Sequence, residues 1–161
     1  MRYTSANKIL LLPDLLRRIA SWRVKGEQVV FTNGCFDLIH LGHVDYLEKA
    51  RALGDRLIIG LNSDRSVRLL KGERRPLLDE QARARVLAAM EFVDGLVLFE
   101  EETPYDLIRQ ILPNVLVKGA DYAIEEIAGH DIVLAAGGKV ERIELVQGYS
   151  TSNLLQRIRQ A

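Results

Sequence analysis

The stretch Phe31–Ala50, FTNGCFDLIHLGHVDYLEKA, places His40 and His43 three residues apart, just past an apolar run and at the start of a helical pattern. Imidazoles one helical turn apart face the same way, so both can address one ligand. A core, a metal or a phosphate group would each use such a pair differently. Upstream, NGCFD sets Gly34 directly after the strand, where backbone N–H groups approach a phosphate closely, and the following helix offers the positive end of its dipole. Gly42, between the histidines, removes a side chain that would block a flat ligand from the backbone. An anion is therefore the expected ligand. The imidazoles would donate hydrogen bonds to it and, when protonated, offset charge that builds on oxygens as phosphorus is attacked. Zinc would need a third ligand. His40, His43 and Asp37 make a conceivable set, but no HExxH or CxxC pattern supports it, and no metal ligand is assigned. Cys35 reads as a small loop residue and not as a nucleophile.

Lys118 interrupts an apolar strand, NVLVKG, just before Gly119. A lysine at the carboxyl end of a parallel strand rarely serves packing, so it is a candidate for charge work. Lys71 stands in LLKGERRP, a charged segment that is solvated by default yet able to close over a triphosphate. Arg83 and Arg85 lie two apart on a helical pattern and face different ways, so at most one can point into a site. Thr151 and Ser152 open the last helical pattern, where hydroxyls and free N–H groups either cap the helix or bind an anion.

The elements that must position these groups alternate in type. A lead-in helix is expected over Leu11–Val24, with Leu12, Leu15, Leu16, Ile19 and Ala20 at helical spacing and Pro13 tolerated in the first turn. EQVVFTNG reads as a strand and HLGHVDYLEKARALG as a helix stopping at Gly54. DRLIIGLNS is the second strand, SDRSVRLLKG a short helix and RRPLL a loop. DEQARARVLAAMEFV follows as a helix whose Val86, Leu87, Met90 and Val93 share a face. DGLVLFE, NVLVKG and GGKVERIEL supply the remaining strands. Between them lie the helices TPYDLIRQIL, with Thr103 as N-cap and Pro104 at its first position, and AGHDIVLAAG. STSNLLQRIRQ closes the chain, with Leu154, Leu155 and Ile158 on one side. Such alternation predicts an α/β fold: a five-stranded parallel sheet with helices on both faces, right-handed crossovers, and ligands beyond the strands' carboxyl ends where the strand order reverses. No repeat, low-complexity tract or linker interrupts it, so residues 1–161 read as a single domain, with 1–25 a helical lead-in available to pair subunits.

A chain of 161 residues buries a real core without disulfides or metals. Its 22 basic and 22 acidic side chains cancel, leaving no overall field to draw it onto nucleic acid or an acidic membrane, so any anion site must be local. A single cysteine excludes an intramolecular disulfide framework and a Cys-only zinc site, and fits a reducing compartment, the cytoplasm. The amino-terminal apolar run is too short for a secretory signal, and no window approaches the roughly 20 apolar residues of a membrane span, so a soluble protein is expected.

GCFDLIHLGH resembles the signature of the nucleotidylyltransferase superfamily with the HxGH motif, which includes cytidylyltransferases for glycerol phosphate and choline phosphate. GDRLIIGLNSD, KGERRP, EQARARVLAAMEFVD, LVKGADY, EEIAG and GYSTSNLL follow in the order of one branch, the adenylyltransferases that make ADP-heptose from D-glycero-β-D-manno-heptose 1-phosphate and ATP. The resemblance covers Val29–Ile158. It implies a Rossmann-like nucleotidylyl transferase fold, in-line transfer of AMP with release of pyrophosphate, and Mg2+ accompanying ATP. It also implies a homo-oligomer whose partners are ATP and a sugar 1-phosphate, with neither nucleic acid nor membrane. Many bacteria fuse this unit to a sugar kinase; here it is expected to be free-standing.

The resemblance also implies roles for residues. His40 and His43 would steady the α-phosphate and the departing pyrophosphate, assisted by Lys71 and Lys118. Thr32, Gly34, Cys35, Phe36, Gly42, Arg83, Gly119, Ser150, Thr151 and Ser152 would hold the nucleotide. Asn33, Asp37, Asp121 and Tyr122 would serve the acceptor, with Asp37 holding either the acceptor or the loop. Two departures bear on specificity. Ser152 stands where relatives often carry a second threonine, and Leu145 stands where the glycerol phosphate branch has an arginine, which weakens the cytidylyltransferase alternative. His130 is expected to be structural. A dehydrogenase is disfavoured because no GxGxxG follows the first strand, and a regulator that has lost turnover is disfavoured by the intact HxGH and Lys118.

Overall fold

The computed structural model describes residues 4–161, so the first three residues of the expected lead-in lie outside the described residues. Five strands, β1 (Val29–Gly34), β2 (Arg56–Asn62), β3 (Gly95–Phe99), β4 (Val115–Gly119) and β5 (Lys139–Ile143), form one parallel sheet in the order β3-β2-β1-β4-β5. The order reverses between β1 and β4, as the alternation of elements predicts. Among the described residues seven α-helices accompany them: α1 (Leu12–Val24), α2 (Leu41–Arg51), α3 (Asp64–Lys71), α4 (Glu80–Ala88), α5 (Tyr105–Ile111), α6 (His130–Ala135) and α7 (Thr151–Gln160).

Side chains alternate between the two faces with the period of a strand. Val30, Leu57, Ile59, Leu61, Leu96, Val115 and Val117 point to one face and are covered by Tyr46, Leu47 and Ala50 of α2 and Ala84 and Leu87 of α4. Val29, Phe31, Ile58, Val97, Phe99 and Leu116 point to the other, where Leu15, Ile19 and Trp22 of α1, Leu107, Ile108 and Ile111 of α5 and Val133 of α6 meet them. Gly60 leaves the room that Phe31 fills: a Cβ there would lie 2.7 Å from the ring. The apolar face of the lead-in is thus spent inside the fold, and its amino-terminal turn adds an edge contact, Leu10 N–H donating to the Leu96 carbonyl at 2.8 Å.

Helix boundaries differ from expectation where backbone geometry overrules pattern. α5 begins one residue late. Pro104 (φ −81°, ψ 19°) is its boundary residue, the first helical bond runs from Ile108 N–H to the Pro104 carbonyl, and no side chain caps the end, so Thr103 is not the N-cap. α4 ends at Ala88, short of the apolar pattern that runs on to Val93. α7 buries no residue, with Ile158 65% exposed, so it is a surface helix placed by its amino end.

The ladder between β1 and β4 spans only Val30↔Val115 and Phe31↔Leu116, against six pairs between β1 and β2. Past that point side chains bridge the two strands. The buried Tyr46 hydroxyl lies 2.7 Å from Thr32 Oγ1 and donates to the Val117 carbonyl at 3.2 Å, while Lys118 Nζ donates to the Asn33 carbonyl at 3.1 Å. Tyr46→Phe removes the first bridge and strands two buried polar groups, which costs about 1–3 kcal/mol. Urea unfolding is expected to show a lower midpoint with an unchanged slope.

Candidate active site

A cleft of about 370 Å³ opens where β1 and β4 part, at the carboxyl ends of the strands. Its floor is Asn33–Asp37. Phe36 adopts φ 45°, a left-handed conformation that a non-glycine residue holds only against strain, and the twist turns its ring away from solvent. The ring covers Gly34, where a Cβ would lie 2.9 Å from it, and stands edge-on to His43 at 5.3 Å between centroids. The main chain of this segment is left to face the cleft.

His40 is the N-cap of α2 and His43 lies in its first turn. Their rings stack with centroids 3.8 Å apart and planes at 26°, and both line the cleft. The room that Gly42 leaves is taken by the His40 ring itself, since a Cβ would lie 3.0 Å from its Cε1 and Nδ1. Gly42 therefore serves ring placement, a different use from the open backbone expected for a flat ligand. His43 Nδ1 accepts the His40 N–H at a long 3.4 Å. Burial, reinforced by His40 and Lys71, pushes His43 down to about 4, and burial lowers His40 as well. In the ligand-free cleft at pH 7 the pair is therefore mostly neutral, which leaves the hydrogen-bonding part of its expected role. Both His40 Nδ1 and Asn33 Oδ1 are buried without a hydrogen-bond partner among the described residues.

Across the cleft lies the amino end of α7, close enough that a Cβ on Gly42 would be 3.4 Å from Tyr149 Cβ. Ser150 is the N-cap, its hydroxyl accepting from Asn153 N–H at 3.0 Å. The capping role is thereby filled, and the hydroxyls of Thr151 and Ser152, which make no hydrogen bond among the described residues, line the cleft with the free N–H groups of the helix. Two helix amino ends therefore face one space, an arrangement suited to a polyanion.

Lys118, half-buried on β4, is pushed down to about 8 by burial, against the pull of Cys35 and Asp121, with Lys71 adding to the fall. Its Nζ lies 5.3 Å from the centre of the Tyr122 ring. Lys71, the last residue of α3, is exposed and also lines the cleft. Burial raises the Cys35 thiol despite four neighbouring cations, which keeps it a poor nucleophile.

Two expected nucleotide contacts, Thr32 and Arg83, lie elsewhere. Thr32 is fully buried beside Tyr46. Arg83 is 0% exposed and donates to the carbonyls of Leu78 (3.0 Å), Cys35 (2.6 Å) and Asn62 (2.8 Å) and to Asp64 Oδ1 (2.8 Å). Every donor nitrogen of the guanidinium is used inside the protein, so Arg83 braces the floor and does not reach a ligand. Asp37 is similarly engaged. Although burial opposes its charge, the N–H groups of Leu78 and Leu77 and the Arg75 guanidinium hold its carboxyl below the usual range, so it ties a loop down, the second of its expected roles.

The other expected residues, Asn33, Gly34, Cys35, Gly119, Asp121, Tyr122 and Ser150 among them, do line the cleft. Sequence reasoning missed Tyr46, Arg75, Val146 and Tyr149, which line it too. Tyr46 follows His43 by three positions and shares its face of α2, a signal that core periodicity masks. His130 Nδ1 lies 2.9 Å from the Ile127 carbonyl, a local structural contact as expected. A larger depression, about 500 Å³, lies at the opposite end of the sheet beside Arg23, Gln28, Asn114 and Lys139, without the histidine pair or the facing helix ends.

A parallel sheet with a stacked HxGH pair at its switch point defines a phosphate-handling α/β protein. The chain belongs to the cytidylyltransferase-like family, whose pattern matches residues 31–157. It is 55% identical over 153 residues to the bifunctional protein HldE of Methylobacillus flagellatus, covering 95% of this chain and 31% of that protein. It is 58% identical over 146 residues to HldE of Azorhizobium caulinodans, covering 91% of this chain and 30% of that protein. The chain therefore spans about a third of the length of the curated relatives it matches. A solved structure, the lipopolysaccharide core biosynthesis protein of Thermoplasma volcanium, superposes with a TM-score of 0.63 at 26% identity, covering 78% of this chain and all of that one.

Arg83→Met leaves buried carbonyls and Asp64 unpartnered and is expected to destabilise the fold by roughly 3–5 kcal/mol, read as a fall in the urea midpoint. His43 supplies a pH dependence. Between pH 6.5 and about 4 the unfolded chain binds a proton that the folded protein refuses, so the contribution is whole above 6.5 and is lost as pH falls toward 4. The loss is at most about 1.4 kcal/mol per pH unit, and urea midpoints of wild type minus His43→Asn across that window are expected to show it.

Proposed function

We propose that this chain transfers AMP from ATP to D-glycero-β-D-manno-heptose 1-phosphate, forming ADP-heptose and pyrophosphate for the synthesis of lipopolysaccharide or another surface glycan. The observation that carries the reading is the stacked His40–His43 pair at the amino end of α2, facing the unspent hydroxyls of α7. Identity above 50% to HldE proteins across this chain, and a solved relative described as a lipopolysaccharide core biosynthesis protein, support the pathway.

In this reaction an oxygen of the sugar's anomeric phosphate attacks the α-phosphorus of ATP in line, the bond from that phosphorus to the bridging oxygen breaks, and pyrophosphate departs with its electrons. The nucleophile is already ionised at neutral pH, so no general base is required and positioning with charge stabilisation carries the rate. The two helix amino ends seat the triphosphate, and the imidazoles donate to its oxygens. The nearby negative charge raises their affinity for a proton as the transition state forms. Lys118 leaves the Asn33 carbonyl for a phosphate oxygen and takes full charge there, while Lys71 closes from α3. Magnesium enters as the complex with ATP, held by phosphate oxygens and water, and so belongs to the substrate. The reading places the enzyme in the cytoplasm, where ATP is made. Among the described residues no helix is long and apolar enough to cross a membrane.

Leu145, 51% exposed at the cleft, bears on base and acceptor choice, because an alcohol-phosphate cytidylyltransferase would be expected to carry an arginine there. The test is a panel crossing ATP and CTP with sugar 1-phosphates and glycerol 3-phosphate, read by pyrophosphate release. Turnover is expected with ATP and the heptose phosphate alone, and reaction of CTP with the alcohol phosphate in its place would overturn the assignment. His40→Asn and His43→Asn are each expected to lower kcat about 100- to 1,000-fold with little change in the KM for ATP.

A further inference from the structure

The cleft holds a cation that the reaction described above leaves idle. Arg75 lies between α3 and α4, its side chain 17% exposed, and its Nε donates to Asp37 Oδ2 at 2.8 Å. Asp37 is itself 2% exposed and accepts the N–H groups of Leu77 and Leu78 at 2.8–3.0 Å, so the carboxylate is a rigid anchor. Only the Nε edge of the guanidinium is used. Nη1 and Nη2 make no hydrogen bond among the described residues, and Arg75 lines the cleft. A guanidinium fixed at one edge with its terminal fork free is pre-organised to take two oxygens of a phosphate side by side.

The charge balance of the cleft requires a second anion seat. Transfer brings a phosphate monoester dianion against a triphosphate, and like charges at this range repel by several kcal/mol unless cations intervene. The amino ends of α2 and α7, with the histidines, line one cleft, and Lys118 reaches it from β4. Arg75 enters from the segment between α3 and α4, anchored through Asp37 where the chain leaves β1, and both cations act on the Cys35 thiol at the floor. The fork therefore opens into the same cleft on a segment of its own, beside the two helix ends.

We infer that Arg75, anchored by Asp37, is the seat of the acceptor's phosphate group, receiving the phosphate monoester of a sugar 1-phosphate on Nη1 and Nη2. This rests on the reaction proposed above and assigns its second anion site. The fork holds the dianion while leaving one oxygen toward the α-phosphorus, so acceptors without an anionic phosphate are excluded.

Steady-state kinetics with ATP and the heptose 1-phosphate test the assignment. Arg75→Gln is expected to raise the KM for the acceptor about 10- to 100-fold while the KM for ATP stays within about twofold. Arg75→Lys, which keeps the charge and loses the fork, is expected to be intermediate, and the exposed neighbour Arg74→Gln to match wild type. Equal effects of Arg75→Gln on both KM values, or none on the acceptor, would overturn the inference. Should Arg75→Gln fail to fold, an Arg75→Lys enzyme with the wild-type acceptor KM would do the same. If wild type releases no pyrophosphate with any sugar 1-phosphate, the proposed reaction falls, and the fork is then read separately. Inorganic phosphate titrated into protein saturated with a non-hydrolysable ATP analogue is expected to bind wild type at least 10-fold more tightly than Arg75→Gln, and equal binding would refute the seat.

Discussion

The site exists because the β1–β4 ladder stops after Phe31 and Leu116. Neighbouring parallel strands normally continue their bonds to the carboxyl end, and here the helices that follow β1 and β4 leave in different directions at the order reversal. The peptide groups beyond the stop still need partners. Tyr46 meets the Val117 carbonyl and Lys118 meets the Asn33 carbonyl, so the parting is satisfied by side chains and not closed by backbone. That exchange turns a potential flaw in the sheet into a cleft with a charged rim. It also explains why a lysine tolerates half-burial there at the expense of its usual affinity for a proton.

Around this opening the protein spends its strongest hydrogen bonds on fixing main chain. Arg83 joins the exits of β1 and β2 to α3 and the start of α4, and Asp37 joins the exit of β1 to the 75–78 loop. Each is a buried charge balanced by an opposite charge and by peptide dipoles, the condition under which burial is tolerated. The groups that line the cleft, the histidine pair, the hydroxyls of Thr151 and Ser152, Lys71 and the fork of Arg75, are those with room to meet an anion. Rigid floor and unsatisfied rim are two sides of one design: a pre-organised site needs little reorganisation when charge develops.

The electrostatics differ from what a list of basic residues suggests. Overall charge is zero, yet the cleft gathers Lys71, Arg75 and Lys118 against two carboxylates, one of which is already committed to Arg75. Without an anion these cations repel one another and suffer desolvation, so His43 gives up its proton and Lys118 is depressed. An entering polyanion reverses both effects, so protonation and binding are coupled.

What the sequence alone determined was periodic or contiguous. The order of strands and helices, the two-faced alternation in β1 to β4, the histidine pair at a helix start and the hydroxyl-opened last helix all follow from residues within one or two turns of each other, where local geometry dictates direction. Tertiary structure decided which polar groups were spent. Arg83 and Arg75 look alike in the sequence, eight residues apart in a basic segment, but one is enclosed by three carbonyls and a carboxylate while the other keeps an open fork. Likewise Asp37 and Asp121 are both loop carboxylates, and only packing buries the first and exposes the second. The reason is physical: hydrogen-bond satisfaction depends on partners distant in the chain, brought together by burial, and no local pattern of residues records them.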